Sequence, residues 1–164
     1  MWPLPDAAVD VLVSRTAAHH FPDLAAACRE WARIVRRGGR CVATDQAGFD
    51  DPALQAFAHE LEVLHDPTHV RAYTGAEWTA ALTAAGFRVQ RVEGGLVERL
   101  TELPSGTVLD DWTRRSGTAP AAAAEIRRRL ENAPGPVTEA LQIRGDGPEL
   151  RFNIYKLVIT ARRG

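Results

Sequence analysis

The sequence predicts an α/β layered fold, and three observations predict it. Val9-Asp10-Val11-Leu12-Val13-Ser14 is nearly continuous, apolar and β-branched, as a buried parallel strand requires. A segment with a single apolar helical stripe follows, ended by Gly38-Gly39. Arg40 to Asp45 then reads as a second strand. Strand, helix and strand with short links make a βαβ unit, whose crossover is right-handed. About four strands are visible along the whole chain, fewer than the ~5–6 of a complete doubly wound sheet.

Each element has its own signal. Leu24, Cys28, Trp31 and Val35 recur at helical spacing within Pro22–Val35. Arg36 and Arg37 follow near the negative end of the helix dipole, and the glycine pair supplies a left-handed stop. Asp51-Pro52 is an N-cap followed by proline at the first helical position, with Leu54, Phe57, Leu61 and Leu64 as the stripe behind it. His65-Asp66-Pro67 breaks that helix. Thr74-Gly75-Ala76-Glu77 is a capping box, Trp78, Ala81, Leu82 and Ala85 form the next stripe, and Gly86 ends it. Phe87 to Leu100 reads as a long strand. Val108–Arg114 reads as a short helix, Ala121–Asn132 as a better one and Val137–Leu141 as one more turn, and Leu150 to Ala161 reads as the final strand. No repeat, low-complexity linker or domain boundary interrupts residues 1–164, so one domain is expected.

Composition narrows the function classes. With 20 Lys+Arg against 21 Asp+Glu in 164 residues, the net charge is −1, which gives no global field for nucleic acid or an anionic membrane. Lys156 is the only lysine, and the arginine run 127–129 is matched by Glu125 and Glu131, a solvated helix face. No apolar run reaches the ~18 residues of a membrane span, and no secretory signal opens the sequence. Cys28 and Cys41 sit inside predicted elements, so a disulfide framework is not expected and a cytoplasmic location is.

Several segments resemble a known family in order and spacing. They are Pro3 to Arg15, Ala17-Ala18-His19-His20-Phe21-Pro22-Asp23, Glu30 to Arg40, and Thr74 to Val89. Together they resemble the C-terminal half of a class I S-adenosylmethionine (SAM)-dependent methyltransferase, and most of all the small-molecule group that includes the ubiquinone and menaquinone biosynthesis enzymes. Asp66-Pro67-Thr68-His69-Val70-Arg71 fits an insert of one subgroup, and Arg37 departs from the proline usual before the glycine pair. The resemblance implies a Rossmann-like sheet, mostly parallel with an antiparallel last strand. It also implies SAM as cofactor and methyl transfer to a small molecule. The family holds SAM mainly with its N-terminal half, on a Gly-rich turn and an acidic strand end. This sequence contains no G-x-G-x-x-G, so the expectation is an acceptor-side half-domain beginning near the fourth strand, with doubtful activity alone. Val9–Ser14 would then be an open strand edge, suited to self-association or to a complementing N-terminal half. The rival reading is a non-catalytic half-domain that interacts through that edge.

Individual residues follow from strand ends, where open α/β sheets bind ligands. Ser14, Arg15 and His20 are candidates for the cofactor side by resemblance, set against the plain alternative that the histidines only precede a helix. His19 and Asp45 are candidates for the acceptor; Asp45 could orient a hydroxyl or act as a base, or be a solvated loop carboxylate. His69 and Arg71 are assigned to the acceptor pocket by resemblance only. His59, His65 and His69 with Asp66 offer ligand types at a spacing that fits no standard metal site, and no metal is expected.

Overall fold

The computed structural model describes residues 2–96 and 107–164. In chain order the elements are β1 (Val9–Arg15), α1 (Leu24–Ile34), β2 (Val35–Gln46), α2 (Pro52–His65), α3 (Gly75–Ala84), β3 (Phe87–Leu96), β4 (Thr107–Val108), α4 (Leu109–Ser116), α5 (Pro120–Glu131), α6 (Gly135–Ala140), β5 (Arg151–Phe152) and β6 (Tyr155–Arg163). The chain packs as two compact units. The first comprises Met1–Gly48, Val70–Gly95 and Lys156–Gly164; the second comprises Phe49–His69 and Leu96–Tyr155.

The first unit is built on a four-stranded sheet in the order β1-β2-β6-β3. β1 and β2 are parallel, and β6 runs antiparallel to β2, as the resemblance implies for the last strand. Alternate residues of β2 explain the layering: Cys41, Ala43 and Asp45 are buried while Val42 and Thr44 are half-buried. The buried side joins Leu12, Ile159, Cys28, Trp31, Ile34, Trp78 and Leu82 in one core. Trp31 and Trp78 stack at 5.9 Å between ring centroids, so both are packing residues. Each fully buried side chain of this kind contributes about 2–3 kcal/mol. β1 is an end strand of the sheet, and its Val11 and Val13 are 52% and 69% exposed.

The helix signals appear where the sequence places them. Asp23 and Asp51 accept backbone N–H bonds at the starts of α1 and α2, and the Thr74–Glu77 capping box is complete. The glycine pair behaves differently from expectation. β2 begins at Val35, directly after α1, and Gly38-Gly39 lies inside it as a bulge. Val9 pairs with Val35, whereas Val11 already pairs with Arg40. Gly38 takes φ +74°, and a Cβ on Gly39 would lie 2.8 Å from the carbonyl oxygens of Asp10 and Arg36. The pair thus permits a kink against β1 rather than a helix stop.

The C-terminal strand also differs. It is two strands, β5 paired with β4 and β6 in the main sheet. Asn153 divides them: its N–H donates to the Leu141 carbonyl and its side-chain amide to Gln142, which removes it from any ladder. The expected strand Phe87–Leu100 is described to Leu96; its last residues lie outside the described residues. The second unit has its own core of Leu61, Leu109, Ile126, Leu130, Leu150 and Phe152. Among the described residues no helix is long and apolar enough to cross a membrane.

Candidate functional site

The carboxyl ends of β1 and β2 lie side by side, with Arg15 opposite Thr44. The Thr16 N–H extends that register by donating to the Thr44 carbonyl at 2.8 Å. Thr16 has φ +49°, a left-handed conformation that is costly for a β-branched residue. Strain held in place by surrounding bonds is characteristic of functional loops. The chain then makes a single 3-10 turn over Ala18–His20 and enters α1.

Asp45, one residue before the end of β2, organises this turn. One carboxylate oxygen accepts the N–H groups of Ala17 (2.8 Å) and Ala18 (2.6 Å). The other accepts the Gln46 N–H at 2.8 Å and faces Nδ1 of His19 at 2.5 Å. Asp45 is 2% and His19 6% exposed, so the pair sits where its charges are poorly screened. Burial pushes the Asp45 carboxyl up, but the His19 bond and the two loop N–H groups outweigh it and hold the group below the ordinary carboxylate value. Asp45 is therefore not a solvated loop residue. The His19 carbonyl in turn accepts the N–H groups of Val70 and Arg71, both at 2.9 Å.

The other expected residues fall in distinct places. His20 is half-buried with its ring 4.1 Å from that of His19. Ser14 is half-buried and Arg15 exposed at the end of β1. Arg71 ties its backbone to His19, while its guanidinium pairs with Glu77 at 2.7 Å and lies over Tyr73 at 5.4 Å. There it forms a wall of an open groove of about 600 Å³ shared with Leu24, Val70 and Ala81. His69 belongs to the second unit, buried, with its ring 5.4 Å from His59.

Sequence reasoning missed two features. The Ala17 and Ala18 amides and the strained Thr16 carry no side-chain signal. In the second unit, His65 is buried, stacked on Trp112 at 3.6 Å, and bonded by Ser116 and Thr118 at 2.9 and 3.1 Å. Burial pushes its pKa down to about 4.

Known proteins resemble this chain in sequence and in fold. A family model described as "Methyltransferase domain" matches residues 1–43. The uncharacterized methyltransferase YcgJ of Bacillus subtilis is 31% identical over 96% of this chain and 60% of its own length. Its solved structure superposes with a TM-score of 0.83 at 27% identity, over 99% of this chain and 67% of that one. A candidate methyltransferase from Bacillus halodurans superposes at 0.88 with 22% identity, over 99% of this chain and 73% of the other. A Mycolicibacterium smegmatis protein named as a SAM-dependent methyltransferase is 31% identical over 98% of this chain and 55% of its own length. The chain thus spans a little over half of these curated relatives. It has the Rossmann-like α/β fold of the class I, SAM-dependent methyltransferases and is related to them in sequence.

Proposed function

We propose that this chain forms the acceptor-side half of a SAM-dependent methyltransferase site that acts on a small molecule. The observation that carries the reading is the polar cluster at the carboxyl ends of the parallel β1–β2 pair, where open α/β sheets bind their ligands. The donor chemistry there suits one side of SAM. The Ser14 hydroxyl, the Arg15 guanidinium and the His20 imidazole are of the kind that hold an amino-acid carboxylate. SAM would supply an electrophilic methyl on a sulfonium, so the protein's task is alignment and charge placement.

The ribose side has no such fit in this chain. Asp45 is the only buried carboxylate among the described residues, and both its oxygens are occupied by the loop and His19. A complementing segment that adds a strand beside β1 would supply the rest, and the exposed Val11 and Val13 are the surface it would use. The same exposure favours a second reading, in which the edge pairs with another copy and the chain acts as an interaction module.

The protein purified from its source cells, with whatever accompanies it, tests the proposal. It is given methyl-tritiated SAM and a small-molecule extract of the same cells. Label moving into the small-molecule fraction is expected. Label appearing only on macromolecules, or not moving at all, overturns the small-molecule reading and leaves the interaction module.

A further inference from the structure

We propose that Tyr73 is a positioning residue for the cofactor: its hydroxyl, with the backbone of residues 70–73, holds the loop between β1 and α1 in the one shape that receives SAM. This rests on the methyltransferase reading above and adds a residue to its site.

The loop over residues 16–21 is held by two segments, which take different groups. Asp45 at the end of β2 accepts the N–H groups of Ala17 and Ala18 at 2.8 and 2.6 Å. Residues 70–73, just before α3, take the carbonyls that follow. The Val70 and Arg71 N–H groups donate to the His19 carbonyl, both at 2.9 Å. The Tyr73 hydroxyl donates to the Phe21 carbonyl at 2.8 Å, across 52 positions of sequence. Tyr73 is buried, so water competes little for that bond. Burial also pushes the phenol's pKa up, so the hydroxyl stays a donor through the ordinary pH range.

The holding segment is itself fixed. The Gly48 N–H donates to the Tyr73 carbonyl at 2.9 Å, and Ala47 and Tyr73 form a parallel bridge, so the segment runs beside the end of β2. The Arg71 guanidinium lies 5.4 Å over the Tyr73 ring and pairs with Glu77 at 2.7 Å. Glu77 closes the capping box with Thr74, which ties this cluster to the start of α3.

These bonds bear on Thr16. A β-branched residue keeps a φ of +49° only where its surroundings over-determine the backbone. Asp45 sets the amides at 17 and 18, and residues 70–73 set the carbonyls at 19 and 21. Together they leave the loop one shape, which carries His20 next to Ser14 and Arg15, the residues assigned to the cofactor side. Without the Tyr73 hydroxyl the loop samples other shapes, and the prepared one is a fraction of the whole. The apparent affinity for SAM then falls by that fraction. Saturating SAM draws the loop back, so the maximal rate is kept.

Two measurements test this. Hydrogen exchange of the full chain, read by NMR, comes first, in Tyr73→Phe and in Gly48→Ala. The glycine variant acts on the same segment without touching the hydroxyl, because a Cβ there would lie 2.7 Å from the Ala72 carbonyl oxygen. In both, the amides of Ala17, Ala18, His20 and Phe21 should exchange about tenfold faster, the effect of one buried hydrogen bond, with the amides of β6 unchanged. Unchanged loop amides, or equal acceleration of the loop and β6, overturns the proposal. The second measurement is transfer from labelled SAM into the small-molecule fraction by Tyr73→Phe protein made in, and purified from, the source cells. KM for SAM should rise about tenfold with kcat kept. An unchanged KM overturns the proposal, and a fall in kcat alone would report only lost folded protein. If the unaltered protein moves no label, the methyltransferase reading fails instead, and the exchange rates still decide whether Tyr73 holds the loop.

Discussion

Three buried polar side chains stand out at the scale of single residues: Asp45, His19 and His65. Asp45 and His19 are 26 positions apart. Each was legible as a strand-end candidate, but their pairing was not, because only the parallel register of β1 with β2 brings them together. Resemblance pointed to Ser14, Arg15 and His20; Ser14 and Arg15 end β1, and His20 ends the 3-10 turn that follows. It grouped His69 and Arg71 as well, and these go to separate units. His65 read as a helix breaker, since its partners Ser116 and Thr118 are more than 50 residues away. Its folded pKa of about 4 lies below the ordinary 6.5, so the neutral ring is the folded form. The stability it gives is complete above pH 6.5. It is lost as pH falls from 6.5 to about 4, where the unfolded chain binds the extra proton, by a total on the order of 3 kcal/mol. Trp112 fluorescence, which reports the stacked ring, should show the thermal midpoint of the second unit falling across that window and levelling below it. In His65→Gln the slope should disappear.

Elements with local signals were the legible ones. Capping boxes and Asp-Pro starts are written within four residues, so α1, α2 and α3 begin where their caps stand. The junction after α1 was not legible. Val35, Arg36 and Arg37 continue the helical stripe and carry the charge that suits a helix end, yet the β1 edge recruits them into β2. The split between β5 and β6 was hidden for a similar reason, since Asn153 leaves the ladder for Leu141 and Gln142, a contact without sequence periodicity. Gly39 is the sharpest test of the bulge. Ala at this position places a Cβ against two carbonyl oxygens that belong to fixed backbone. Gly39→Ala should cost roughly 2–3 kcal/mol by chemical denaturation. A neutral result would mean that the bulge does not set the register.

On the scale of the whole molecule, two compact units each carry a core. The sheet ends on β1, whose Val11 and Val13 are exposed while Leu12 faces the core. The most direct test is calorimetric titration of the purified 164-residue protein with SAM. An acceptor-side half predicts no saturable binding tighter than about 10 μM. A 1:1 complex with a Kd below about 1 μM would contradict it, because these residues alone would then hold the whole cofactor.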